Sequence, residues 1–117
     1  MTVFLKDILM KTHSEFQILG RVGKIKHVGP TLRVTIAADY GKRGEDGTFE
    51  AKPFWNEVTI FNDKTAKWVG DNINAGDLVF SRGTIRQTSY ESNGSTVYGV
   101  TLASDEFSLL AEKHVTG

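Results

Sequence analysis

The sequence predicts an all-β domain, a five-stranded barrel with one interior helix, and three observations lead there. Twelve glycines and two prolines divide the 117 residues into short pieces, the punctuation of a chain with many turns. Several of those pieces alternate apolar and polar residues with period two, as strands buried on one face do. One interior segment has helical spacing instead.

Residues 16–26, Phe-Gln-Ile-Leu-Gly-Arg-Val-Gly-Lys-Ile-Lys, read as the first strand, and their glycines indicate bending or close backbone approach. His27-Val28-Gly29-Pro30 is a turn. Residues 31–38 set Leu32, Val34 and Ile36 on one face and Arg33 and Thr35 on the other. From 39 to 53 the chain is polar, charged and glycine-containing; Asp46-Gly47 marks the tip of a long hairpin or loop. In residues 54–61, Val58 and Ile60 share one side, and Trp55, Glu57, Thr59 and Phe61 share the other.

Residues 62–73 form the expected helix, with Asn62 or Asp63 as cap and Ala66, Val69 and Ile73 facing inward. Ala75-Gly76-Asp77 ends it. Residues 78–90 place Val79, Gly83 and Ile85 on the core side, opposite Phe80, Arg82, Thr84 and Arg86. Asn93-Gly94 is the sharpest turn signal of a hairpin at 91–95. Residues 96–110 hold the returning strand and a less regular end. Strands in this order, with a helix between the third and fourth, define an OB-fold, a small, partly open Greek-key barrel.

Residues 1–15 stand apart from this barrel (16–110) and from the closing residues 111–117. Phe4, Leu5, Ile8 and Leu9 lie on one side of a short helix expected after Thr2, placed to pack on the barrel or to meet a partner.

Composition narrows function. With no cysteine, disulfides, thiolate metal sites and cysteine nucleophiles are excluded. Fourteen basic residues balance fourteen acidic ones, so any nucleic-acid role must come from locally clustered charge. No apolar run reaches membrane-spanning length and no signal peptide opens the chain, so the expectation is a cytoplasmic, nucleoid-associated protein. His13, His27 and His114 lack metal-ligand spacing, and neither a phosphate loop nor a nucleophile elbow is present. No enzyme, cofactor or metal is expected.

The informative pattern is aromatic and basic residues on strand faces opposite the core. Trp55 and Phe61 share such a face, Arg82 and Arg86 share another with Tyr90 following, and Arg33 is outward on the second strand. Tyr40, Lys42 and Arg43 open the long loop. Unpaired bases stack on exposed aromatic rings while Arg and Lys neutralise phosphates. Each residue also has a structural reading: Trp55 plugging the barrel's open end, Phe61 packing beneath the helix, Tyr90 as a cross-strand hairpin residue, Arg82 and Arg86 as solvated charges. Trp68 is expected to pack on the barrel.

Four pieces make the chain resemble the bacterial single-stranded DNA-binding protein family: Ile18-Leu19-Gly20-Arg21-Val22-Gly23, Val34-Thr35-Ile36-Ala37, Trp55-Asn56-Glu57-Val58-Thr59-Ile60-Phe61, and Gly76-Asp77-Leu78-Val79-Phe80-Ser81-Arg82-Gly83-Thr84-Ile85-Arg86. The resemblance runs from about Phe16 to Leu110. It implies an OB barrel that wraps single-stranded DNA with little sequence preference, as a homotetramer or, given the long N-terminal segment, a dimer. It implies stacking by Tyr40, Trp55, Phe61 and Tyr90, and basic contacts from Arg86, Lys42, Arg43 and Lys64. The family's acidic C-terminal tip is missing from Lys113-His114-Val115-Thr116-Gly117, which puts recruitment of replication and recombination proteins in question. Tyrosine at position 90, where the family often has tryptophan, and zero net charge imply weaker, more salt-sensitive binding. Two other readings stand beside this one: a protein-interaction module that kept the barrel and gave up DNA, favoured by Glu57 and the N-terminal apolar stripe, and an RNA binder.

Overall fold

The computed structural model describes residues 12–113. The helix expected around Phe4, Leu5, Ile8 and Leu9 lies outside the described residues. Within them the order is β1 (Glu15–Val28), β2 (Thr31–Asp39), β3 (Lys42–Arg43), β4 (Phe49–Glu50), β5 (Pro53–Ile60), α1 (Asp63–Asn72), β6 (Leu78–Ser92) and β7 (Ser95–Ala111). β1, β2, β5, β7 and β6 close into a barrel in that order, while β3 and β4 form a separate ribbon.

β1 is long enough to serve two neighbours. Its first half pairs with β6, from Glu15↔Thr84 to Arg21↔Leu78, and its second half with β2, ending at Val28↔Thr31. The expected role of its glycines is visible at Gly20, where a Cβ would collide with the carbonyl of Ala37 on β2. At Gly23 the β1–β2 register shifts between Val22 and Ile25. Thr35 holds that bulge, its Oγ1 accepting from the Lys24 amide at 2.8 Å. Alternation then resumes with the opposite parity, so Ile25 turns to the core and Lys24 and Lys26 turn outward.

Leu32, Val34 and Ile36 of β2, Val58 and Ile60 of β5 and Val79 of β6 are fully buried, so the alternation read from these segments does build the core. α1 packs against β2 and β5, bringing in Val69 and Ile73, with Ala66 partly buried beside them. Asn62 is the N-cap: its side chain accepts from the Thr65 amide at 3.0 Å. Gly76, at φ 93°, turns the chain after the helix.

The barrel has one narrow seam. β5 and β7 run parallel and pair only at Val58↔Leu102 and Thr59↔Ala103. Beyond it β6 and β7 continue as a two-stranded arm, closed by Asn93 (φ 50°) and Gly94 (φ 80°), the paired positive angles of a tight hairpin turn.

Several expectations are corrected. Ile85, placed on the core side with Val79 and Gly83, is 39% exposed because β6 leaves the barrel there. Thr59, expected outward, is buried where the seam brings it against Ala103. Residues 96–110 do not end irregularly; β7 is one 17-residue strand whose register against β6 shifts twice.

Candidate nucleic-acid interface

Trp55 lies on the outer face of β5, opposite Ala37 of β2. Small residues on its neighbours allow its ring to reach across the sheet to the β1 bulge, where a Cβ on Gly23 would strike the indole. Lys24 and Thr35 border the ring on that side, and more than half of it is exposed. It does not plug the barrel.

Past the Val58↔Leu102 pair, β5 and β7 diverge and open a cleft of about 520 Å³. Trp55, Glu57, Thr59 and Arg33 line its barrel side, and Thr88, Tyr90, Val100 and Thr101 line its arm side. The structure thus brings Trp55, Tyr90 and Arg33 together, three residues drawn from β5, β6 and β2. Tyr90, paired across the hairpin with Val97, is exposed. Arg86 shares the Tyr90 face of β6; its Nε donates to Thr84 Oγ1 at 3.1 Å, and the residue is exposed.

A second aromatic group sits where the ribbon leaves the barrel. Tyr40 meets Phe54 edge to face at 5.7 Å, and the Lys52 ammonium is 5.8 Å from the Phe54 ring centroid. Asp39 fixes this base, its Oδ1 accepting from the amides of Gly41 and Lys52. Lys42 and Arg43 are exposed along the ribbon, paired with Glu50 and Phe49. Lys64 is exposed in the first turn of α1. Phe61, between β5 and the helix cap, is half exposed and is not among the cleft-lining residues.

Arg82 is the candidate the structure separates from the rest. Its Nε lies 3.4 Å from Glu15 Oε1 and 3.2 Å from Glu106 Oε2, on the wall formed by β1, β6 and β7. Phe54, Lys24 and Lys26, together with the cleft-lining Val100, are among the exposed residues that alternation does not single out. Strict alternation assigns Phe54 to the core side, yet the first five residues of β5 are all exposed because they overrun the buried part of the barrel. The two lysines become visible only once Gly23 is treated as a bulge that reverses the parity.

Among the described residues no group of His, Cys, Asp and Glu is placed to hold a metal ion, and no helix is long and apolar enough to cross a membrane.

The barrel, its interior helix and its strand order define an OB-fold. No family model and no curated protein matches the sequence. Solved structures do. The mitochondrial single-stranded DNA binding protein from S. cerevisiae superposes with a TM-score of 0.65 at 19% identity, over 89% of this chain and 100% of that one. The single-stranded DNA-binding protein of Plasmodium falciparum, solved in complex with single-stranded DNA, gives 0.64 at 15% identity, over 87% and 97%. The small single-stranded DNA-binding protein from Streptomyces coelicolor gives 0.59 at 12%, over 85% and 95%. The chain has the fold of these proteins.

Proposed function

We propose that this protein binds single-stranded DNA with little sequence preference and without catalysis, holding strands unpaired during replication, recombination or repair. The observation that carries this reading is the convergence of Trp55 and Tyr90, both more than half exposed, on one cleft that also holds Arg33. Exposed aromatic surface of this kind is an interaction site, and the barrel that presents it is shared with proteins described as single-stranded DNA binders.

In this reading a base stacks on the Trp55 indole and a neighbouring one on Tyr90, each contributing about 1–3 kcal/mol, while Arg33 and Arg86 neutralise phosphates. Every base has a π-face, which is why such stacking is indifferent to sequence. Tyr40 with Phe54, and Lys42 and Arg43 along the ribbon, extend the track on one side; Phe61 and Lys64 extend it on the other. Arg82, held by Glu15 and Glu106, is left out. Leu19 on the outer face of β1 is more than half exposed, which is compatible with a homo-oligomer, dimer or tetramer, that light scattering would count.

The test is fluorescence anisotropy of a labelled oligo-dT at low salt, with duplex DNA and the matched RNA as competitors. Tight, saturable binding that duplex fails to displace is the expected result. Displacement by equimolar RNA would move the ligand class from DNA to single strands generally. No binding at low salt would refute the reading.

A further inference from the structure

Glu57 is a carboxylate in a cleft assigned to a polyanion. It stands two residues from Trp55 on the same face of β5 and lines the same cleft. Both of its oxygens are engaged: Oε1 lies 3.6 Å from Nη1 of Arg33, and Oε2 lies 3.8 Å from Nζ of Lys26. The sheet itself assembles this triad. Lys26 of β1 and Arg33 of β2 are cross-strand partners, and Arg33 is opposite Thr59 of β5, two residues along the strand from Glu57.

Neither contact is a close one. At 3.6 and 3.8 Å both exceed the length of a charge-assisted hydrogen bond, and all three side chains remain more than a third exposed. The Nε of Arg33 is buried with no hydrogen-bond partner. The guanidinium therefore has an unused donor, and Glu57 holds it loosely. Exposed ion pairs of this kind are weak and readily exchanged, whereas a phosphate offers several oxygens to the same donors.

We propose that Glu57 is a built-in competitor for the phosphate backbone. In the free protein it occupies Lys26 and Arg33; when a strand enters, the phosphate takes Arg33 while Glu57 keeps Lys26 and stands as a like charge beside the strand. The carboxylate lowers affinity and removes an ionic contact from the salt dependence, so that binding stays reversible in a protein whose net charge is zero. This inference rests on the single-stranded DNA reading above and names the residue that limits it.

The experiment compares Glu57→Gln with Asp71→Asn. Asp71 is paired with Lys67 on α1, lies outside the cleft, and its substitution removes the same single charge. Affinity for oligo-dT is measured at several salt concentrations, with circular dichroism to verify that both variants are folded. Glu57→Gln should bind about five- to tenfold more tightly near 50 mM salt and steepen the slope of log K against log salt by about 0.7, one recovered phosphate contact. Adding Lys26→Gln to that variant should take back much of the gain. A Glu57→Gln protein indistinguishable from Asp71→Asn, or one that binds more weakly than the parent, overturns the proposal; the weaker result would make Glu57 a hydrogen-bond acceptor for the ligand. Failure of the parent and both variants to bind is a different result, which refutes the DNA reading itself.

Discussion

The indole of Trp55 rests against the backbone of Gly23, two strands away, so closely that a Cβ at position 23 would strike the ring. Glycine is required there by the ring and not by a left-handed angle, since the positive-φ glycines are 29, 47, 76 and 94. Gly23→Ala should therefore displace the indole while leaving the barrel intact, and oligo-dT affinity should fall toward that of Trp55→Ala, a loss of about 1–3 kcal/mol. By contrast, alanine at Gly20 or Gly83 would meet the carbonyls of Ala37 and Ala103. Those substitutions should destabilise the fold by about 1–3 kcal/mol or more, as overpacking does. Thermal melts alongside binding isotherms separate the two classes.

Arg86 and Arg82 differ in what already surrounds them. Arg86 bonds only to a hydroxyl, whereas Arg82 is flanked by two carboxylates. Arg86→Gln should reduce the slope of log K against log salt by about 0.7, and Arg82→Gln should leave it unchanged. The check is a salt titration of each variant against the parent.

How much of this was legible beforehand depends on whether a feature is local. The buried side of β2, Leu32, Val34 and Ile36, follows from alternation within nine residues, and the Asn62 cap and Asn93-Gly94 turn are equally local signals. The convergence of Trp55 with Tyr90 follows only in part. Alternation says that both face away from the core, but a closed barrel has an outer surface all the way round. Which outward residues meet depends on strand order. Arg82 shares the parity of Arg86 and still ends on a different wall, because β1 and β7 bring Glu15 and Glu106 to its sides. Phe54 was hidden for another reason: alternation reports a side of a strand, not where the core along it stops.

Asp77 ties the chain's end to the turn after α1. The residue is 2% exposed; Oδ2 accepts from the Asn74 amide at 2.8 Å and Oδ1 from the Lys113 amide at 2.9 Å. Asp77→Ala would strand both donors and should cost about 1–3 kcal/mol, read as a lower midpoint in urea. Asp77→Asn keeps one oxygen acceptor and should fall between the two.

Asp46 sets the tip of the β3–β4 ribbon. The Thr48 hydroxyl, at 2.6 Å, and the Thr48 amide, at 3.1 Å, both donate to its Oδ1 and hold its carboxyl below the ordinary value of 3.8. A depressed folded-state value means that the turn's order is fully present above the ordinary value and is lost as pH falls through the lowered one. NMR titration should show Thr48 shifting with Asp46 in that acid window. Thr48→Val should move the Asp46 midpoint back up; an unchanged midpoint would remove the hydroxyl as its cause.

The proposed function turns on Trp55 acting as a stacking surface for unpaired bases. The chain has two tryptophans, so Trp68→Phe leaves Trp55 as the sole indole reporter. Titrating that variant with a long oligo-dT at several salt concentrations reads that stacking directly. A base stacked on the indole gives saturable quenching of the Trp55 emission, with log K falling by about 0.7 per phosphate contact as log salt rises. Emission that stays constant while labelled DNA is bound, or no binding at low salt, would contradict it.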